Sequence, residues 1–591
     1  MGFAQSVGPI QSSAVKGLRW AVLAVAAGLL GVVPPAAADP APNTVVPADA
    51  VWSEEYITEP DGTVLHADVL RPKHLAPGTK TPVILAVGPY FNHAGQGGVF
   101  GQVSDLPPYG LGTSVGASTR FLDLLDGARL MARGYTFVMV DSRGTGGSTG
   151  CPDFIGPGEQ ADVDAAIRWA ATQPWSTGKV GMYGKSYDGT TGLVGVGLRT
   201  PGLAAVVAQE PMYDLYRWLF YNGVRYHRSP VIPAWYTTVA ATPGVPGADS
   251  TRYMNASVEN FLRPSCLADA ALSGQDGNWT LPYWRSRDIF AKLQGSTVPL
   301  FLMQGFLESN TRPDGLVETM QAVQGPRRAW LGMWNHVRGN ETDANGAPIT
   351  GREGWFDEVM RFYDEHLKGI VPAQRDPAVV VQSSDGRWRR EATWPPAQPT
   401  NVVAPVARGS YLDLAPAFGA GANAGAADVN KGLWTVSAPL PGERHLAGMP
   451  SVVVNARSPF HGSNVTVDVY DVADDGTGVL VTRGTALTVG ADTMRFNLLP
   501  TDWRFARGHR IAVRLTNANF DWWLHVPNAG TVTVDGGQLT LPLTCGPEQE
   551  IAGLRSSYLD TYVSGPGRYQ VPAEVLRAPA VDFAGLSNAC S

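Results

Sequence analysis

The stretch Val180-Gly-Met-Tyr-Gly-Lys-Ser186-Tyr-Asp-Gly-Thr-Thr-Gly192 decides the fold. A short apolar run ends at Tyr183, and a long apolar stretch, residues 193–207, follows the serine and its flanking glycines. This pattern predicts a strand, a tight turn and a helix, with Ser186 in a strained conformation at the apex of the turn. The N-terminus of the helix supplies unpaired N–H groups and a partial positive charge, which suit a developing oxyanion.

Two other interpretations of this stretch compete with a nucleophilic serine. A phosphate-binding loop of the form G-x-x-x-x-G-K-S would need a glycine where Lys179 stands, and the nearest glycine, Gly178, is one residue out of place. Alternatively, Ser186 caps the helix and has no part in chemistry. The stretch alone does not separate these alternatives, so the remainder of the chain has to decide.

Length and composition indicate a globular protein of several domains. A chain of 591 residues exceeds one ordinary domain, and we expect roughly two to four. A hydrophobic content of 44% with 16% charged residues suits a folded core, and 68 glycines with 46 prolines indicate many turns. The net charge of -7 offers no basic footprint for nucleic acid.

The N-terminus has the features of a signal peptide over residues 1–38. Lys16 and Arg19 form a positive flank, residues 20–33 form an apolar segment too short to span a bilayer, and residues 36–38 give an A-x-A cleavage site. We therefore predict a secreted protein whose mature chain begins at Asp39. An uncleaved membrane anchor is the alternative.

Four cysteines remain after processing, namely Cys151, Cys266, Cys545 and Cys590. An even number of cysteines in an exported protein predicts two disulfide bonds. Of the three pairings, we expect the nearest-neighbour one, Cys151–Cys266 and Cys545–Cys590. None of the four lies in a C-x-x-C motif, so the cysteines indicate neither a metal site nor a redox site.

Strands and helices alternate in residues 39–213 and again in residues 297–370, which predicts a parallel α/β sheet. The expected strands are a hairpin at 51–71 and buried strands at 82–87, 135–140, 298–303 and 328–332. The expected helices are 121–133, 160–172, 315–323 and 356–367. The glycine-rich loop 142–150 does not complete G-x-G-x-x-G, and we interpret it as a plain strand-to-helix connection.

Residues 214–296 break this alternation, and we predict a mostly helical cap that lies over the carboxyl edge of the sheet. Aromatic residues crowd its beginning: Tyr213, Tyr216, Trp218, Phe220, Tyr221, Tyr226, Trp235 and Tyr236. We expect most of them in the core and a minority at a substrate pocket.

Residues 371–591 are rich in short strands separated by turns, which predicts a C-terminal β-sandwich. Its expected strands are 379–382, 451–456, 465–472, 510–516 and 530–541, with a Gly/Ala-rich loop at 415–427 and a disulfide-tied tail.

A serine nucleophile needs a base, and only one of the ten histidines is well placed for that role. In α/β hydrolases the chain order is serine, acid, histidine. His336 alone follows a strand of the α/β region directly, in a loop, whereas His366 lies in a predicted helix. The acid should follow the preceding strand, which favours Glu308 and leaves Asp314 as the alternative. Such an acid orients the imidazole that takes the serine proton.

Two oxyanion donors are expected, one from the residue after the serine and one from the loop after an early strand. The first is the N–H of Tyr187. The second is Tyr90, which follows the strand at 82–87. Because no His-Gly-Gly-Gly motif is present, we expect its phenol rather than a backbone N–H to act.

Several short motifs together resemble the X-prolyl dipeptidyl-peptidase and cocaine-esterase-like serine hydrolases, peptidase family S15. They are Gly-Lys-Ser-Tyr-Asp-Gly (184–189), Gln-Pro-Trp (173–175), Gly-Pro-Tyr (88–90), Asp-Ser-Arg-Gly-Thr-Gly (141–146) and Trp-Asn-His (334–336). The resemblance covers residues 51–543. It implies an α/β-hydrolase domain, a helical cap and a C-terminal jelly roll, with the Tyr90 phenol as oxyanion donor. The family usually has aspartate where Glu308 stands.

The expected function is therefore that of a secreted serine hydrolase with no metal and no organic cofactor, and we favour an Xaa-Pro dipeptidyl-peptidase, which releases N-terminal Xaa-Pro dipeptides. An Xaa-Pro dipeptidyl-peptidase needs a carboxylate for the substrate ammonium, and Glu210 and Asp214 are the candidates. Trp218 and Tyr221 are candidates for the wall of the substrate pocket.

A cocaine-esterase-like enzyme acting on small acyl esters or amides is the alternative, and an inactive carbohydrate-binding protein is a remote one. Ser309 and Asn310 after Glu308 argue against the amino-ester hydrolase branch, whose members carry further acids there. Whether the chain forms a homodimer stays open.

Overall fold

An eleven-stranded sheet holds the serine turn near its centre. The computed structural model describes residues 46–93, 116–230, 232, 236, 239–240, 244, 249–263, 266, 274–414, 432–488, 493–519 and 522–589. These residues belong to one compact unit, Asn43–Ser591. The predicted signal peptide, the loop 415–427, Trp235 and Cys590 lie outside the described residues. Among the described residues, no helix has the length and apolar content needed to cross a bilayer.

The large sheet combines a parallel centre with antiparallel edges. In spatial order its strands are β1 (Ala50–Thr58), β2 (Val64–Pro72), β4 (Thr136–Asp141), β3 (Thr81–Gly88), β5 (Ser176–Lys185), β6 (Leu203–Gln209), β9 (Leu300–Gly305), β10 (Arg327–Gly332), β11 (Val379–Gln382), β12 (Trp388–Glu391) and β24 (Gln549–Ile551). Neighbouring strands from β4 to β11 are parallel. The predicted hairpin is confirmed, with Ala50 opposite Pro72.

Helices cover this sheet at the places that the apolar periodicity indicated. They are α1 (Leu122–Gly127), α2 (Pro157–Thr172), α3 (Tyr187–Leu198), α8 (Leu316–Ala322) and α9 (Trp355–Lys368). The helix predicted at 121–133 was too long, because the helical turns end at Gly127 and Arg129 adopts a left-handed φ of 51°. The fold class is nevertheless the predicted one, a parallel α/β sheet with helices.

Two strands of the sheet differ from the sequence interpretation. β6 was not predicted, because residues 193–207 form one apolar run in which helix α3 and strand β6 cannot be separated by periodicity. Arg199, with φ 54°, and Gly202, with φ 103°, make the break. The strand at 379–382 exists, but it pairs with β10 of the large sheet rather than with the C-terminal sandwich. The large sheet thus continues past residue 370.

The cap contains short helices and one small hairpin. Its described elements are α4 (Leu215–Leu219), β7 (Phe220–Tyr221), β8 (Val224–Arg225), α5 (Thr251–Phe261), α6 (Pro282–Arg285) and α7 (Ile289–Leu293). The predicted disulfide Cys151–Cys266 is present and ties the cap to the loop after β4. Cys545 is disulfide-bonded, and its predicted partner Cys590 lies outside the described residues.

Two antiparallel sheets form the C-terminal sandwich. One contains β20 (Thr493–Asn497), β17 (Ser451–Arg457), β23 (Thr531–Thr544), β16 (Arg444–Gly448) and β21 (Thr501–Phe505), with β13 (Thr400–Val406) and β14 (Gly409–Leu412) also on β23. The other contains β15 (Leu433–Val436), β22 (Arg510–Thr516), β18 (Asn464–Val472), β19 (Thr477–Leu487) and β25 (Arg568–Gln570). Helices α10 (Ser557–Ser564) and α11 (Ala573–Arg577) follow. The predicted sandwich is confirmed.

Candidate active site

Ser186 occupies the sharp turn between β5 and α3. Its φ of 65° and ψ of -123° lie outside the regions that side-chain-bearing residues favour, and such strain persists only where the surroundings impose it. The flanking glycines are needed because strand and helix nearly touch. A Cβ at Gly184 would lie 2.3 Å from the carbonyl carbon of Asp188, and a Cβ at Gly189 would lie 2.8 Å from the carbonyl oxygen of Gln209. The predicted strand, turn and helix are all present.

Glu308 and His336 follow the ends of the neighbouring parallel strands β9 and β10. Nδ1 of His336 lies 2.5 Å from Oε2 of Glu308. The Glu308 carboxylate also accepts hydrogen bonds from the hydroxyl and the N–H of Thr311. Burial opposes ionisation of Glu308, but the charge of His336 and these hydrogen bonds outweigh it and lower the pKa of the carboxyl. A charged carboxylate thus holds the imidazole in one orientation.

Asp314, the alternative acid, has a different environment. Its carboxylate lies 3.9 Å from the guanidinium of Arg312, and burial raises the pKa of the carboxyl. The contact with His336 belongs to Glu308. The geometry therefore favours Glu308 as the group that orients His336.

Polar contacts tie the histidine loop to the serine turn. The ammonium of Lys185, the residue before Ser186, donates to the carbonyl of His336 at 2.8 Å. Gln209, at the end of β6, accepts from the N–H of Ser186 through its carbonyl and from the N–H of Gly339 through its side chain. Neither role is evident in the sequence, where Lys185 suggests only a phosphate loop and Gln209 ends a strand that was not predicted.

Tyr90 and Tyr187 both lie close to the serine. Tyr187 is the first residue of α3, where helical N–H groups have no acceptor in the preceding turn. The hydroxyl of Tyr90 is 2.6 Å from that of Tyr236. Burial raises the pKa of Tyr90 well above its usual value, and the charge of Arg120 with the hydrogen bonds to Tyr236 and Ser186 opposes this rise only in part. The phenol therefore keeps its proton and can donate it in a hydrogen bond.

An ion pair next to the Tyr90 loop explains the glycine and the tyrosine of the motif Gly-Pro-Tyr. Arg120 donates to the carboxylate of Asp188 at 2.5 Å, and its guanidinium lies 4.1 Å from the ring centroid of Tyr90. A Cβ at Gly88 would lie only 1.9 Å from the Asp188 carboxylate, so this position requires glycine. The sequence did not single out Arg120, and it offered Tyr236 only as one of the cap aromatics, a minority of which were expected at a substrate pocket. Asp188 stands inside the serine motif and was the available signal.

Glu210, a predicted candidate for the substrate ammonium, has its carboxylate engaged within the protein. It is fully buried and accepts hydrogen bonds from the indole N–H of Trp334 at 2.8 Å, the N–H of Gly305 and the amide of Gln304. Burial, and then the charge of Glu308, raise the pKa of Glu210 well above its usual value. Both of its oxygens are occupied, and the carboxyl holds the ends of two neighbouring strands beneath the site.

Asp214 is likewise committed to structure. It caps helix α4 by accepting from the N–H of Arg217 at 2.6 Å, and its second oxygen pairs with the Arg217 guanidinium at 3.3 Å. Burial raises the pKa of Asp214 to about 6. Both oxygens are thus engaged, and a substrate ammonium would have to displace Arg217.

Trp218 and Tyr221, the two aromatic residues predicted for the pocket wall, lie in different parts of the structure. Trp218 packs against Tyr236, with 6.1 Å between ring centroids, and its indole donates to the carbonyl of Asn310. It therefore lies next to the tyrosine pair. Tyr221 instead donates to the carbonyl of Asn497 and packs against Trp523 of the C-terminal region. Tyr221 belongs to the contact between cap and sandwich and not to the neighbourhood of the serine.

Two models of known protein families match this chain, one in its α/β region and one in its C-terminal region. Residues 61–338 match the family model for X-Pro dipeptidyl-peptidase of the S15 family. Residues 372–552 match the model for the X-Pro dipeptidyl-peptidase C-terminal non-catalytic domain. Together the two ranges span more than half of the chain.

Individual relatives agree with this result. A putative Xaa-Pro dipeptidyl-peptidase of Streptomyces avermitilis is 27% identical over 531 residues, covering 78% of this chain and 72% of the relative. The cocaine esterase of a Rhodococcus species is 26% identical over 389 residues, covering 58% and 60% of the two chains.

A solved structure shows the same fold. The crystal structure of an aminopeptidase from a marine sediment Thaumarchaeota archaeon superposes with a TM-score of 0.61, at 19% identity, and covers 87% of this chain and 99% of its own. The predicted α/β-hydrolase-like fold with a C-terminal sandwich domain is thereby confirmed. On the two family matches, the chain belongs to the S15 family of hydrolases.

Proposed function

We propose that the protein is a serine hydrolase that works through an acyl-enzyme, with Ser186 as nucleophile, His336 as base and Glu308 as the acid that orients the base. The observation that carries this proposal is the contact of 2.5 Å between His336 and Glu308, in a loop that Lys185 fastens beside Ser186. With Nδ1 bound to Glu308, Nε2 is the nitrogen that can accept the serine proton.

The reaction follows from these positions. The Ser186 oxygen attacks the acyl carbonyl while Nε2 of His336 takes its proton, and the charged carboxylate of Glu308 stabilises the imidazolium. The N–H of Tyr187 and the phenol of Tyr90 donate to the oxyanion of the tetrahedral intermediate. His336 then returns the proton to the leaving amine or alcohol. Water attacks the acyl-enzyme with the same base and releases the acid and the free serine.

For the substrate we propose peptides that begin with Xaa-Pro, since the Streptomyces avermitilis relative carries the name Xaa-Pro dipeptidyl-peptidase. We extend the proposal to secretion, which the predicted signal peptide supports. N-terminal sequencing of protein recovered from the medium tests export, and the mature chain should begin at Asp39.

A specific observation favours a second candidate, an esterase for small acyl esters. Glu210 and Asp214, the two carboxylates considered for the substrate ammonium, have both oxygens engaged within the protein. An ester substrate needs no such carboxylate. The name of the Rhodococcus relative, cocaine esterase, agrees with this alternative.

Labelling with a fluorophosphonate probe tests the mechanism. The wild-type protein should be labelled once, at Ser186, and Ser186→Ala should not be labelled. Ser410, an exposed serine of the sandwich, provides a matched control, and Ser410→Ala should be labelled like the wild type. Unchanged labelling of Ser186→Ala would overturn the proposal.

A substrate panel separates the two candidates. We expect hydrolysis of Ala-Pro-nitroanilide and much slower hydrolysis of the N-blocked compound, because a dipeptidyl-peptidase binds the free ammonium. Equal rates on both compounds would exclude that activity. Fast turnover of aryl esters with none on either peptide would establish the esterase instead.

A further inference from the structure

A second group of chemically active side chains lies away from Ser186, toward the edge of the sheet. His66 and Asp68 are two residues apart on β2 and therefore point to the same face of the sheet. His93 follows β3 in the Tyr90 loop. All three are buried. Nε2 of His93 is 3.2 Å from one oxygen of Asp68, and Nε2 of His66 is 4.0 Å from the other. Each of the three residues offers one possible metal-ligand atom, and these three atoms lie within 4.8 Å of one another.

Each imidazole is held from behind by a carboxylate. Nδ1 of His66 is 2.9 Å from Asp141, and Nδ1 of His93 is 2.7 Å from Asp249. Since a carboxylate accepts hydrogen bonds, each Nδ1 carries a proton. The other ring nitrogen, Nε2, points toward Asp68 in both histidines. This carboxylate–histidine arrangement is the usual support behind a metal-bound imidazole.

The contacts of His66 leave one nitrogen unexplained. Its Nε2 is buried and has no hydrogen-bond partner among the described residues. A protonated Nε2 would be an orphaned buried donor, which is unfavourable. A neutral Nε2 presents its lone pair to the space beside Asp68. Within the described part of the chain, no lysine or arginine forms an ion pair with Asp68 or Asp141.

We propose that His66, Asp68 and His93 bind a Zn²⁺ ion, which takes the place of the proton between His93 and Asp68. Two imidazoles and one carboxylate suit zinc better than calcium or magnesium, which prefer oxygen ligands. Ligands on a tetrahedral zinc at about 2.0–2.1 Å lie about 3.4 Å apart. Oδ1 of Asp68 lies 3.3 Å from Nε2 of His93 and 4.0 Å from Nε2 of His66. The site is not visible in the sequence, because its residues come from separate segments without metal-ligand spacing.

The ion would have a structural role. Tyr253 of α5 stacks on His93 at 4.3 Å between ring centroids, and its hydroxyl accepts from the His93 backbone N–H. His93 lies three residues after Tyr90 in the same loop. A metal on His66, Asp68 and His93 therefore fastens β2, the Tyr90 loop and the cap helix α5 to one another.

Metal content of the untagged full-length chain tests the proposal. The chelator-treated protein is dialysed against Zn²⁺ or Co²⁺, and bound metal is measured by inductively coupled plasma mass spectrometry. We expect one ion per chain, and visible d–d absorption from the Co²⁺ form. Failure of the wild-type chain to retain either ion would overturn the site without touching the proposed hydrolase mechanism.

Variants assign the ion to these residues. His66→Ala, His93→Ala and Asp68→Asn should lose it, and Asp249→Asn, behind His93, should weaken affinity by about 10–100-fold. His525→Ala removes another buried histidine, paired with Asp413 in the C-terminal region, and should keep the ion. Circular dichroism establishes that each variant is folded. Folded His66→Ala and His93→Ala proteins that bind zinc like the wild type would contradict the assignment.

Discussion

Two carboxylate–imidazole pairs in this hydrolase share their chemistry and differ in their surroundings. In Glu308–His336 and in Asp141–His66, Nδ1 faces a buried carboxylate. His336 stands on a loop at the carboxyl edge of the sheet and is 7% exposed, whereas His66 lies within a strand and is fully buried. The pair alone thus does not define a catalytic site. The surroundings distinguish the proposed proton shuttle, whose loop is bonded to the serine turn through Lys185, from the proposed metal ligand, which lies near a second carboxylate, Asp68.

Removal of the proposed catalytic imidazole has the largest expected effect. His336→Ala should lower kcat by about 10⁴ to 10⁶-fold with little change in KM, since the base acts only in the chemical step. His525→Ala, which removes a similarly buried imidazole from another carboxylate pair, should leave kcat unchanged. Steady-state kinetics on the best substrate of the panel measure both. Comparable losses in the two variants would show that the effect is structural and not catalytic.

Substitution of the carboxylate in the proposed catalytic pair has the next largest expected effect. Glu308→Gln keeps the size of the side chain but removes the charge that stabilises the imidazolium, and it should reduce kcat by about 10³ to 10⁴-fold. Asp314→Asn changes the alternative acid, which does not contact His336, and should alter kcat by less than about tenfold. The same steady-state assay measures both variants. A large loss in Asp314→Asn together with an active Glu308→Gln would reverse the assignment of the acid.

Removal of the proposed oxyanion donor, the Tyr90 hydroxyl, has a smaller expected effect. Tyr90→Phe removes one hydroxyl and should lower kcat by about 10² to 10³-fold while KM stays similar, because the bond forms to the oxyanion. Tyr236→Phe removes the neighbouring hydroxyl, which lies 2.6 Å from that of Tyr90, and should cost about tenfold or less. Equal kcat values for Tyr90→Phe and the wild type would leave oxyanion stabilisation to backbone N–H groups.

Local patterns predicted the serine turn and the pairing of Glu308 with His336. The serine turn is written in consecutive residues, and the fixed order of acid and base after parallel strands pointed to Glu308 and His336. Strand β6 was missed because a single apolar run crosses from helix to strand, and the strand at 379–382 was assigned to the wrong sheet because its composition suits either.

Roles that depend on tertiary contact were not readable in the sequence. Glu210 was expected at a substrate and lies beneath the site, since nothing local shows that Trp334 and Gly305 come to meet it. His66 and Asp68 meet His93 only because β2 pairs with β4, which in turn pairs with β3. Chemistry assembled from distant segments requires the fold.

The smallest expected effect is a change in the pH dependence of stability at Asp214, a buried carboxyl that is paired with Arg217 and not with a histidine. Asp214 has its pKa raised to about 6 by burial, whereas the pKa of Glu308, beside His336, is lowered. A raised folded-state pKa contributes stability that is fully present below the unfolded value of 3.8 and is lost as the pH rises through about 6. Asp214→Asn removes this dependence and retains a good helix cap.

The difference in unfolding free energy between wild type and Asp214→Asn should therefore shift by about 2 kcal/mol in favour of the variant as the pH rises from about 4 to about 7. Denaturant titrations at the two pH values measure this shift, and the other carboxyls cancel in the comparison. A difference that does not vary with pH would mean that Arg217 keeps Asp214 charged throughout. In that case both Asp214 and Glu308 would be charged although both are buried. An adjacent imidazole would then not be needed to keep a buried carboxyl of this protein ionised.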